Sequence, residues 1–258
     1  MTRIFLTGDT HNSIDIRKLN IKNFKEQNNL TKDDYLIVLG DFGIPWVYGE
    51  SNEDKYWLEW LNKKNFTTLF IDGNHENFDQ LDTYPIVDFN GAKCHKLRDS
   101  VYHIMRGEII TLNDTNFLCM GGALSIDRAY RKEHISWWKE ENPTYKEWEK
   151  AFVNIDKADV ILTHDAPYSV LNQFLRAEKD EVNKTLDRLL ERNTKANKWY
   201  FGHHHIDRYI EYNGIDFYAL YNTIEELKDD WLPCNIVSKT IKTLDKWQRK
   251  LYTGNIKR

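Results

Sequence analysis

The chain has 258 residues, 41% hydrophobic and 29% charged, with a net charge of −4. That balance supports a packed core, argues against wholesale disorder, and gives no global attraction to nucleic acid or an anionic membrane. No apolar stretch approaches the ~20 residues of a membrane span, and the apolar run Ile4-Phe5-Leu6 is too short for a signal peptide. Cys94, Cys119 and Cys234 are far apart and form no CxxC pair, so a cytoplasmic protein without a disulfide framework is expected.

In chain order, short β-rich runs each end in glycine and polar residues. Ile4-Phe5-Leu6-Thr7 leads into Gly8-Asp9-Thr10-His11, and Tyr35 to Leu39 into Gly40-Asp41-Phe42-Gly43. Thr68 to Ile71 leads into Asp72-Gly73-Asn74-His75-Glu76, Asp159 to Leu162 into Thr163-His164-Asp165, and Trp199-Tyr200-Phe201 into Gly202-His203-His204-His205. These runs read as buried strands, with weaker candidates at Asn116 to Met120 and Ile215 to Leu220. Helical spacing marks Ile14 to Gln27, Asn52 to Lys64, Thr144 to Asp156 and Asp180 to Asn193, and Thr144 with Glu147 makes a capping-box pattern. The alternation predicts an α/β fold. The segment Gly121 to Pro143 looks like an irregular insertion. The expected division is one catalytic domain over 1–222, with a basic helical extension over 223–258 packed on it.

In α/β sheets, ligands gather at the carboxyl ends of strands. Asp9, His11, Asp41, Asn74, His75, His164, His203, His204 and His205 all fall at such ends. The set mixes imidazole, carboxylate and one amide oxygen, without cysteine. Such donors suit manganese, iron, zinc, cobalt or nickel better than magnesium or calcium. They are too many for one ion, and two ions about 3.5–4 Å apart would share an aspartate. Taken singly, a Gly-Asp after a strand is usually a turn; five such pieces in order are not easily dismissed. If the strand stays extended through the histidine triplet, His203 and His205 point one way and His204 the other.

The order Asp9-Thr10-His11, Gly40-Asp41, Gly73-Asn74-His75-Glu76, His164 and Gly202-His203-His204-His205 resembles the calcineurin-like metallophosphoesterase superfamily. The resemblance implies a four-layer αββα sandwich of two mixed β-sheets with helices outside. It implies that Asp9, His11 and His205 hold one divalent ion, that Asn74, His164 and His203 hold the other, and that Asp41 bridges them. His75 would face the substrate as a general acid or phosphate contact, with Glu76 orienting it. A hydroxide formed at the two metal ions, manganese first among the candidates, would attack the phosphoester. Residues 77–85, 121–128, Arg131 and 135–141 resemble a narrower bacterial and phage-associated branch.

The substrate is left open. Protein serine/threonine phosphatases of this superfamily carry a phosphate-gripping arginine shortly after Gly-Asp, whereas Phe42 and Gly43 follow here. Arg128 or Arg131 could replace it, and Trp137 or Trp138 could stack on a base; alternatively, the arginines fix a loop with Asp127 and the tryptophans plug the core. A hydrolase of small phosphodiesters or phosphomonoesters such as nucleotides is favoured. A nuclease, a protein phosphatase or a silent metal-bound scaffold are the alternatives, the net charge weighing against nucleic acid as the partner.

Overall fold

A computed structural model describes residues 2–228, so the basic tail and most of the expected extension over 223–258 lie outside the described residues. The strands are β1 (Ile4–Thr7), β2 (Tyr35–Leu39), β3 (Thr67–Ile71), β4 (Ile86–Phe89), β5 (Ala92–Arg98), β6 (Val101–Ile104), β7 (Glu108–Leu112), β8 (Thr115–Met120), β9 (Val160–Thr163), β10 (Lys198–Phe201), β11 (Arg208–Tyr212), β12 (Ile215–Ala219) and β13 (Glu225–Glu226). The helices are α1 (Asn52–Asn62), α2 (Phe78–Leu81), α3 (Tyr145–Asn154), α4 (Tyr168–Leu171) and α5 (Glu181–Arg192), joined by short 3₁₀ turns. No described helix is long and apolar enough to cross a membrane.

Two mixed sheets form. One has the order β13-β1-β2-β3-β6-β5-β4, the other β11-β12-β10-β9-β8-β7. Each has a parallel centre and antiparallel margins. Side-chain alternation builds the layers. In β2, Ile37 and Leu39 face Phe117, Cys119 and Leu162 of the other sheet, whereas Leu36 and Val38 face Trp57, Leu58 and Leu61 of α1. On the far side, Leu118, Ile161 and Trp199 turn outward to Ala151 of α3 and Leu186 and Leu189 of α5. The result is the expected four layers: helix, sheet, sheet, helix. Complete burial of a side chain such as Leu58 contributes about 2 kcal/mol.

Local signals fix the helix ends. Thr144 and Glu147 close the expected capping box on α3, Ser51 and Asp54 close another on α1, and Asp180 caps α5. The helix expected over Ile14 to Gln27 does not form. Two 3₁₀ turns, Ile16–Leu19 and Lys25–Asn29, stand there instead. Between them the Asn20 side chain accepts from the backbone N–H of Lys22 and Asn23, a local bond that competes with the helical ladder. Gly121 to Pro143 is irregular as expected, with turns at Arg128–Tyr130 and Lys139–Glu141.

Candidate metal centre

The carboxyl ends of β1, β2 and β3 meet those of β9 and β10 at one place. The first and last motifs touch directly: the His203 backbone N–H donates to Asp9 Oδ1 at 3.1 Å, across 194 residues. Here the backbone takes a costly form. His11, Asp41, His203 and His205 all have positive φ, 40°, 46°, 64° and 50°. Left-handed conformation in a non-glycine residue costs about 1–2 kcal/mol, and its accumulation at one spot marks a site whose side-chain directions outweigh backbone comfort. Close approach also needs glycine at Gly73, where a Cβ would sit 2.1 Å from Asp41 Oδ1 and 2.7 Å from His164 Nε2.

Asp41 is at the middle and almost fully buried. Its Oδ2 lies 3.3 Å from His11 Nε2 and its Oδ1 lies 3.2 Å from His164 Nε2. Oδ1 also accepts from the His75 backbone N–H at 2.7 Å. Asn74 Oδ1 stands 3.2 Å from His164 Nε2. His203 packs its ring 4.9 Å from that of His164, and donor atoms of Asp41, His164 and His203 lie within 4.8 Å of one another. On the other side, the His205 ring lies 4.9 Å from that of His11, and His205 Nε2 is 3.6 Å from Asp9 Oδ2. That Asp9 oxygen is buried and makes no hydrogen bond.

Hydrogen bonds fix which ring nitrogens face inward. His164 Nδ1–H donates to the Leu39 carbonyl at 2.7 Å, which turns Nε2 toward Asp41. Asp15 Oδ2 takes His11 Nδ1–H at 2.8 Å, with the same effect. Orientation of one ring nitrogen by a carbonyl or carboxylate is the usual companion of a metal-binding histidine. Asp15 was not among the expected site residues, and a carboxylate four residues after His11 is the signal that could have found it. Burial works against charge on His164, yet Asp41 and Asp9 carry its pKa up to about 10. In turn, against the same burial, His164 and His11 hold Asp41 well below the ordinary carboxylate range. Burial pushes Asp9 up, and it brings His203 down to about 3. The centre is thus rich in buried acid and takes up a proton where it has no other cation.

His75 has donors within 4.8 Å of those of His11 and Asp41, but its ring faces Arg131, whose Nη1 and Nη2 lie 3.1 and 2.9 Å from His75 Nδ1 and Nε2. Burial, opposed by Asp41 and reinforced by Arg131, takes the His75 pKa down to about 4. Arg131 is itself fixed by Asp127 at 2.7 Å. Arg128 is elsewhere, over the Trp137 ring at 4.0 Å. Trp137 and Trp138 are buried, so they plug the core and are not free to stack on a base.

Two further expectations need correction. Glu76 does not orient His75: its carboxylate accepts from the backbone N–H of Phe42 at 2.7 Å and Gly43 at 3.0 Å, bracing the turn that carries Asp41. The strand does not run on through the histidine triplet either. β10 ends at Phe201, and the left-handed His203 and His205 make a tight loop. His204 is turned away by a bond from its ring to buried Asp165, at 2.8 Å, and not by strand alternation. Among the described residues, Asp165, His203 and His204 also form a close donor group.

The chain matches the family described as calcineurin-like phosphoesterase over residues 2–235. Among solved structures, it is similar to phosphopantetheinyl hydrolase from Mycobacterium tuberculosis, at 16% identity and a TM-score of 0.46, covering 90% of this chain and 98% of that one. It is also similar to GAP50, the anchor in the inner membrane complex of Plasmodium, at 15% identity and a TM-score of 0.45, covering 85% of this chain and 71% of that one. At such distances neither likeness bears on the reaction. Among curated proteins none matches. The profile spans every one of the strand-end motifs that build the cluster of aspartates and histidines: the chain belongs to the calcineurin-like phosphoesterase family and is a metallophosphoesterase.

Proposed function

We propose that this enzyme hydrolyses small phosphodiesters or phosphomonoesters, nucleotides among them, with two divalent cations. The observation that carries the reading is the division of Asp41, one oxygen toward His11 and the other toward His164. A shared carboxylate of that kind is what a pair of ions requires. Asp9, His11 and His205 would hold one ion, Asn74, His164 and His203 the other, with Asp41 between them. The residues fit such ions: Asp9 Oδ2 is a buried acceptor with no hydrogen-bond partner, and His11 and His164 have their Nδ1 atoms already spent. The donors favour manganese, iron, zinc, cobalt or nickel, and manganese is our choice for assay.

When bound, such ions neutralise phosphoryl oxygens and bring the pKa of a water near neutrality. The protein supplies placement. Arg131 offers a planar guanidinium beside His75 that can grip phosphate oxygens, standing in for the arginine absent after Asp41. With His75 held neutral beside it, the ring serves better as a hydrogen-bond donor to a phosphoryl or leaving oxygen than as a full proton donor. We assign the enzyme to the bacterial and phage-associated branch on residues 77–85, 121–128, Arg131 and 135–141. We assign it to the cytoplasm on its buried free cysteines Cys94 and Cys119, which suit a reducing compartment.

The test is a manganese assay across an aryl phosphomonoester, an aryl phosphodiester, cyclic nucleotides, dinucleotides and single-stranded DNA. Turnover of the small esters is expected, with little dependence on salt. Cleavage confined to DNA and steeply salt-dependent would replace this reading with a nuclease. No turnover with any of the metals would sink it.

A further inference from the structure

Beside the metal centre a cleft of about 340 Å³ opens between His11 and His75, lined by Asn12, Ile14, Gly43 and Trp46. Its volume lies at the low end for small-molecule sites, enough for one ring system or one nucleoside. The lining includes no Lys, Arg, Asp or Glu. A run of further phosphates would find no cation there, whereas an uncharged group joined to a phosphate at His11 and His75 would enter it directly.

The Trp46 ring stands 6.5 Å from that of His75, tilted by 30°. It is held in place. Its backbone N–H donates to Asp54 Oδ1 at 2.9 Å and its carbonyl accepts from Asn77 Nδ2 at 2.8 Å. Its ring meets Trp138 edge-on at 5.7 Å, and Trp138 Nε1 donates to Asp79 at 2.7 Å. A rigid aromatic wall loses little entropy when a flat ring lies against it. Exposed Ile14 adds apolar surface to the same cleft.

Resting on the hydrolytic reading above, we propose that Trp46 sets substrate specificity: the enzyme selects phosphoesters whose ester group bears a flat, uncharged aromatic ring, stacked on Trp46. Such a ring comes from a nucleoside or from a simple aryl or arylalkyl alcohol.

The experiment compares benzyl with cyclohexylmethyl phosphate on the manganese-loaded protein. The two leaving alcohols differ modestly in acidity, a difference that Trp46→Leu retains and that does not enter KM, so the Trp46-dependent part of the ratio isolates ring planarity. We expect kcat/KM to favour benzyl by about tenfold, the size of one base–aromatic contact, carried mainly by KM. Trp46→Phe keeps the preference and Trp46→Leu brings the ratio near one. Thymidine 5′-phosphate set against ribose 5-phosphate extends the ring class to nucleosides if it shows the same Trp46-dependent gain, and confines it to simple rings if it does not. Calorimetry with benzylphosphonate and cyclohexylmethylphosphonate reads the same preference without turnover. Ring-selective binding lost in Trp46→Leu, with no hydrolysis of any ester, would refute the hydrolase and leave the ring site standing. No ring preference in the wild type, or one undiminished in Trp46→Leu, overturns the proposal.

Discussion

Asp41 and Asp72 follow neighbouring parallel strands, β2 and β3, and both are buried. Their surroundings differ in one respect. Asp72 finds its counter-ion within the chain: Arg106 Nε donates to it at 2.8 Å and His103 Nε2 lies 3.1 Å away. Asp41 and nearby Asp9 have histidines as their ion-pair partners, and one Asp9 oxygen is left without a hydrogen bond. Against burial, Arg106 holds Asp72 far below the carboxylate range. The Asp9 and Asp41 pair instead drives His164 to retain a proton. A buried acid balanced by the chain's own arginine is architecture. A buried acid group paired with histidines, which hold a proton only on loan, is poised for cations from outside.

The largest contrast should come from removing each acid. Asp41→Ala should lose bound manganese and at least ~10³-fold in hydrolysis, because the ligand proposed to be shared by both ions is gone. Asp72→Ala should lower stability by about 3–5 kcal/mol by stranding Arg106, with metal content per folded chain unchanged. Elemental analysis and urea unfolding of both variants decide it. Metal loss in Asp72→Ala alone would break the contrast.

Next in size is a pH effect confined to metal-stripped protein. His164 is raised from 6.5 to about 10, so between those values the folded state holds a proton that the unfolded chain has released. The His164 contribution to stability is therefore full below about pH 6.5 and is lost as pH rises toward 10. His203, lowered from 6.5 to about 3, acts in the opposite sense, and stability falls as pH drops from 6.5 toward 3. Urea midpoints of chelator-treated protein should fall between pH 7 and 9.5, and added manganese should flatten that slope.

Smaller effects test the supports. Asp15→Ala frees the His11 ring and should weaken metal binding by about 10–100-fold, read by metal titration. His204→Gln keeps a donor for Asp165 and should cost less than about 1 kcal/mol, with metal content unchanged. Loss of an ion from that variant would move His204 into the metal centre.

Much of this was legible because each ligand-bearing motif is local: a hydrophobic strand, a glycine, then polar residues. Most of the parallel centre of each sheet follows from the same runs together with the two weaker candidates, but β6, which pairs parallel with β3, was not among them. Strands β4, β5, β6, β7, β11 and β13 did not follow; β4 and β11 are half exposed at the sheet margins and lack a continuous apolar run, and β6 is buried but interrupted by His103. Nor can composition sort tryptophans. Trp137 and Trp138 were candidates to stack on a base and are buried, while Trp46, five residues after Asp41 and given no such role, lines the cleft. Glu76 follows His75 in sequence but turns to the backbone of another loop, a choice set by the approach of β2 and β3 and invisible in order alone.

The bond between Asp9 and His203 spans 194 residues, and this has a consequence for how the protein is made. Closing so long a loop is entropically expensive and is repaid only by contacts that already exist. The metal centre is accordingly among the last features to assemble, after both sheets are in place. A chain emerging during synthesis carries its first ligands long before its last. Metal binding should therefore lag behind secondary structure in refolding, and report completion of the sandwich rather than nucleate it.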